Sequence, residues 1–331
     1  MKLRNTECGM RNEGVRARCR FVAVVAMMFL VAGCATPPPP SPEKTELSRV
    51  TTTARMAYEQ GSASQAARLY VRALKMARVQ DDPVEIGNNA YNLAACLIAI
   101  EKYDDARSLL REAKREFERA KRPIPAIVLL DAKAARLQGK ADEALALADQ
   151  VLVFLKEGDG GAYPLQVFLF KTQVACDRGD VAVAKLELVK AQKELKTHDD
   201  PILKADAVGV AGRIALLEGN PSRAAQEYDR QADYFKRAKK YREMALSLGL
   251  AGQAYQDASI FLPAVDRFYR SARSLYAQGD ELAALKMVEA ALSSGEKTGD
   301  QDSLARTKAF FDEIKKQVED SKPKSSEAAK P

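Results

Sequence analysis

The chain has 331 residues, with 52 Lys and Arg against 45 Asp and Glu, one histidine and no tryptophan. A single histidine, His198, confines any Ser-His-Asp or Cys-His arrangement, and most histidine-dependent metal sites, to its own surroundings. The net charge of +7 would suit a nucleic-acid partner, but its cations are unevenly placed.

The first element explains much of that charge. Lys2, Arg4, Arg11, Arg16, Arg18 and Arg20 precede an uninterrupted apolar run, Phe21 to Ala32. That run is too short for a transmembrane helix, which needs about 20 residues, and fits the roughly 7–15 of a signal-peptide core. Small residues follow, and then Cys34 stands three residues before four prolines that no helix interior can hold. The quartet Val31-Ala32-Gly33-Cys34 resembles the lipobox of bacterial lipoproteins, with valine in place of the commoner leucine. The resemblance implies that Cys34 is diacylated and that the chain is cut just before it. An ordinary secretory signal or an uncleaved anchor, with Cys34 incidental, is the alternative. The long stretch ahead of the apolar run leaves either Met1 or Met10 as the start.

Removing 1–33 leaves 46 basic against 43 acidic residues, a net +3, so nucleic-acid binding loses its electrostatic basis. Residues 34–44 are expected to be a lipidated, proline-rich tether, extended at roughly 3.1 Å per residue. Residues 320–331, rich in Lys, Ser, Pro and Ala, are expected to be a disordered tail.

Between these ends, 45–319 carries continuous helical patterning and an internal repeat. In "NNAYNLAACLIAIEKYDDARSLLREA", Asn88 to Ala113, the alanine of Tyr103-x-x-Ala106 recurs as Ala66, Ala144, Ala184, Ala224 and Ala264, at intervals of 40, 38, 40, 40 and 40. Three further columns keep the register. Twelve residues upstream stand Ala54, Ala94, Ala132, Thr172, Gly212 and Gly252, all small. Five upstream stand Gly61, Glu101, Gly139, Gly179, Gly219 and Ser259, which predicts a left-handed turn. Four downstream stand Tyr70, Leu110, Ala148, Leu188, Tyr228 and Phe268, which predicts a core position. "QDDPVEIG" and "HDDPILKA" each place Asp at a helix cap and Pro in the first turn.

This pattern resembles the tetratricopeptide repeat. The resemblance implies an all-α, right-handed superhelical solenoid of six to seven helix-turn-helix units, the last being Glu281–Ser294 with Asp302–Val318. No unit can bury its apolar face alone, so stacking is obligatory. The repeat is about six residues longer than the usual tetratricopeptide length, and the family's proline near the end of the second helix is missing from most units.

Other chemistry is thin. His198-Asp199-Asp200 resembles a metal cluster, but Asp81-Asp82-Pro83 repeats it without histidine, so it reads as a helix-start loop and no metal or cofactor is expected. Glu157 to Pro164 lacks the spacing of a calcium or phosphate loop and reads as a linker between the third and fourth units. Cys96 and Cys176 lie two units apart, on the order of 20 Å, which is too far for a disulfide. The basic runs Arg111–Arg122 and Tyr234–Glu243 read as solvated faces; for the second, anionic headgroups or an acidic partner is the other possibility.

In the tetratricopeptide family, first-helix residues line a concave groove. Transferred by register, that groove would present Asn88, Tyr91, Asn92, Lys133, Arg136, Gln166, Gln173, Arg213, Gln253 and Gln256. Amides can pair with peptide backbone and arginine can fork a carboxylate. The expectation is a non-enzymatic scaffold, anchored through Cys34 and binding a peptide or protein partner in the bacterial envelope, on the outer membrane facing the periplasm. A small-ligand or glycan sensor is the alternative.

Overall fold

The computed structural model describes residues 42–155 and 161–321. The leader, Cys34, most of the tether, the first part of the Glu157–Pro164 linker and the last ten residues lie outside them. The chain divides between Glu46 and Leu47 into two compact units, and of the smaller only 42–46, the first turn of a helix, is described.

Fourteen helices and no strand occur among the described residues. They pair as seven hairpins: α1 (Pro42–Glu59) with α2 (Ala63–Val79), α3 (Pro83–Ala99) with α4 (Tyr103–Arg119), and α5 (Pro125–Leu137) with α6 (Ala141–Leu155). Then follow α7 (Tyr163–Asp177) with α8 (Val181–Leu195), α9 (Pro201–Leu217) with α10 (Pro221–Arg237), α11 (Tyr241–Asp257) with α12 (Phe261–Ala277), and α13 (Glu281–Gly295) with α14 (Gln301–Ser321). The helical-repeat solenoid expected from the columns is therefore present. Two boundaries differ. α1 begins at Pro42, inside the expected tether, because proline is tolerated at the first helical position. α14 runs to Ser321, two residues into the expected tail.

Each column has a physical role. All six turn residues take positive φ: Gly61 (82°), Glu101 (62°), Gly139 (76°), Gly179 (71°), Gly219 (71°) and Ser259 (59°). The backbone there closes the helix in the Schellman manner, as where Lys140 N–H donates to the Ala135 carbonyl at 2.9 Å. The small column lies where the two helices of a unit cross. A Cβ on Gly212 would stand 2.8 Å from the Tyr228 ring, and one on Gly252 2.8 Å from the Phe268 ring. The partner in each case is the core residue sixteen positions on. Asp82 caps α3 by accepting from Val84 N (3.0 Å) and Glu85 N (3.2 Å), and Asp200 caps α9 through Ile202 N (2.7 Å).

Units are joined by apolar packing and by ion pairs between neighbouring hairpins. Arg107 is held by Asp131 (2.6 Å) and Glu143 (2.6 Å), and Arg267 takes both carboxylate oxygens of Asp229 (2.9 and 3.0 Å). Two residues of the first basic run join in: Glu112 receives Arg78 at 2.7 Å, and Arg119 reaches Asp81 at 2.9 Å, while Arg111, Arg115, Lys121 and Arg122 are exposed. Cys96 and Cys176 are buried free thiols, and burial pushes the Cys96 thiol up to about 12.

Candidate concave binding site

First helices touch one another along the array: α3 meets α5, α5 meets α7, and α7 meets α9. Their shared inner side is narrow. Lys133 on α5 and Asp206 on α9 feel each other's charge although α7 stands between them in sequence order. Tyr91 on α3 likewise senses Tyr163 on α7. Both pairs lie two units apart, so the first helices of alternate units come within electrostatic range of one another.

Four of the predicted groove residues come together there. Asp177, at the end of α7, receives Arg136 of the preceding unit at 2.7 Å and Arg213 of the following unit at 2.6 Å. Gln173 stands one turn back on α7 and lines a cavity of about 320 Å³ with Asp206, Arg213, Leu216, Gln231 and Leu250. Lys133 lies within electrostatic range of Asp206. Water reaches the Lys133 side chain, yet protein surrounds it closely enough that desolvation pushes its amine below the ordinary range, with Asp206 opposing the shift. Burial raises the Asp206 carboxyl to about 6, with Lys133 again opposing.

The other predicted residues are not drawn into this cluster. Tyr91 is half-buried beside Tyr58 and Tyr163. Asn88, Asn92, Gln166 and Gln256 are partly exposed, and Gln253 bonds to Asp257 of its own helix at 2.8 Å. His198 pairs through Nδ1 with the Glu194 carbonyl at the end of α8 (3.0 Å).

Register alone could have found Asp206, which occupies the same column as Asn88 and Gln166. Gln231 had a fainter signal. It sits on the second helix, α10, and reaches the cavity through the space left by Gly209, where a Cβ would lie 2.2 Å from its Nε2. Its Oε1 is buried and unpaired among the described residues.

The curvature carries the array back on itself within the unit Leu47–Pro331. A Cβ on Gly61, in the α1–α2 turn, would lie 2.9 Å from Nε of Arg242 at the start of α11, and Arg242 is fixed to Asp280 at 2.7 Å. Tyr58, Glu59, Lys239, Lys240 and Glu243 line a cleft of about 530 Å³ at this seam. The second basic run thus supplies one side of the seam, and Arg237 stacks on its Tyr234 at 5.5 Å.

No protein-family model matches the chain, and no curated protein matches it by sequence. Solved structures do match. One is a STAND signal-transduction ATPase with a tetratricopeptide repeat sensor from Pyrococcus horikoshii: TM-score 0.58, 15% identity, 84% of this chain and 42% of that one. The chain thus spans about two-fifths of that protein's length. The fold is tetratricopeptide-like. A Rap protein complexed with competence and sporulation factor gives a TM-score of 0.59 at 14% identity, covering 85% of this chain and 79% of that one. The Rap conjugation gene regulator of plasmid pLS20, in complex with the Phr* peptide, gives 0.59 at 12% identity, covering 95% and 89%.

Proposed function

We propose that this chain is a non-enzymatic binding scaffold that holds an extended peptide or a segment of a protein partner in the concave channel, and that Cys34 anchors it by lipid in a bacterial envelope. The observation that carries the binding reading is the convergence of Lys133, Arg136, Gln173, Asp177, Asp206 and Arg213, from three consecutive first helices, on one inner wall beside Leu216 and Leu250. Amides and forked cations suit backbone and carboxylate groups, and the leucines suit apolar side chains. The Phr* peptide held by the Rap conjugation gene regulator, whose fold is similar, supports this reading. The test is capture from envelope extracts after crosslinking. Lys133→Glu combined with Arg213→Glu, which reverses two cations, is expected to lower recovery of the captured partner more than tenfold. Equal recovery, or no protein captured by either form, overturns the channel.

The anchor rests on the lipobox-like Val31-Ala32-Gly33-Cys34 and the prolines that follow; no helix among the described residues is long and apolar enough to cross a membrane. Cys34→Ser is expected to abolish incorporation of labelled palmitate into the protein with unchanged helical content. Undiminished labelling of the variant refutes lipidation at Cys34.

A further inference from the structure

α8 breaks the pattern of the other second helices. Its inward side, with Ala184, Leu188 and Ala191, packs into the core as in the other units. Its outward side is apolar where the others are mostly polar: Val183, Leu186 and Val189 stand one turn apart and are 43%, 57% and 62% exposed. In the column of Val183 the other units place Gln65, Asp105, Glu143, Arg223 and Pro263. In that of Leu186 they place Arg68, Ser108, Ala146, Gln226 and Asp266. The same face of α8 continues into exposed Lys193 and Lys196, and the preceding second helix, α6, ends in exposed Val153 and Phe154.

We propose that the outward face of α8 is a membrane-contact surface, in which Val183, Leu186 and Val189 enter the interfacial region of a bilayer while Lys193 and Lys196 meet anionic headgroups. A stable dimer needs about 800 Å² from each partner, and three side chains on one helix face, extended only by Val153 and Phe154 of α6 on one side and bordered by the polar α10 on the other, are a small area against that. A short apolar stripe running into lysines, whose stems can lie along acyl chains while the ammonium stays at the headgroups, suits an anionic lipid surface. This surface is independent of the concave channel.

Because the chain has no tryptophan, one introduced indole reports its own surroundings. The full chain carrying Leu186→Trp is mixed with vesicles of phosphatidylglycerol and phosphatidylcholine, or of phosphatidylcholine alone. Gln226→Trp, in the same column one unit on, is the control. The N-terminal apolar run can hold the chain on vesicles by itself, so emission rather than sedimentation is the readout. With anionic vesicles the Leu186→Trp emission is expected to shift to the blue and Gln226→Trp to keep that of an indole in water. Adding Lys193→Glu and Lys196→Glu is expected to raise the lipid needed for half the shift by at least about tenfold. Three outcomes overturn the proposal: no shift on vesicle-bound chain, an equal shift in the control, or a shift that follows protein concentration without lipid, which would mark a second copy instead.

Discussion

Truncating Phe268 to alanine is expected to cost about 3–5 kcal/mol of stability, read from denaturant unfolding by circular dichroism. The ring is almost wholly buried and presses on Gly252 across the crossing of α11 and α12. The same crossing gives a sharper test. Gly252→Ala alone should overpack it and cost about 1–3 kcal/mol, because a Cβ there meets the ring at 2.8 Å. The second unit uses alanine opposite leucine at this crossing, Ala94 with Leu110, both buried. Gly252→Ala with Phe268→Leu should therefore be less damaging than the two single effects added together, with a coupling of about 0.5–3 kcal/mol. Strict additivity would show that the columns are not matched in size.

The second large effect is a dependence on pH. Burial holds the Asp206 carboxyl at about 6 in the folded protein, against an ordinary 3.8. A raised acid is harder to ionise folded than unfolded, so its contribution is complete below about pH 4 and is lost as pH rises through about 6. The shift corresponds to at most about 3 kcal/mol. The groups that bear on Asp206 are Lys133 and Asp200 by charge, with Gln173, Arg213 and Gln231 lining the same cavity. Asp206→Asn keeps the shape and removes the titration. The difference in unfolding free energy between the native chain and this variant, followed from pH 4 to pH 7, should change across that window; a flat difference would mean that Asp206 is well hydrated.

The fold was legible because its constraints are local and repeated. A left-handed turn favours glycine, so Gly61, Gly139, Gly179 and Gly219 announce themselves. Glu101 and Ser259 become visible as turns only through register, yet both take positive φ. The small column was equally clear, since close helix crossing excludes bulk at Ala94, Gly212 and Gly252. The candidate site was half legible. Lys133, Gln173 and Arg213 share one column and meet on one wall, but a first-helix reading cannot foresee that Asp177 clamps two arginines from neighbouring units. Nor can it foresee that Gln231 reaches in from a second helix over Gly209. Those contacts depend on the rotation between units, which no single repeat encodes.

The seam at Gly61 and Arg242 is the cumulative result of that rotation, and it alters the topology of capture. If this bridge closes the wall of the proposed channel, the channel is a tube in place of a groove, and a bound peptide would have to enter end-first instead of settling sideways. A loose tail can thread such a tube, whereas a chain folded at both ends cannot, however well its middle fits. Selection would then act on the order of the cargo's ends before any side chain is read, and loading would be governed by how often a free end finds an open mouth.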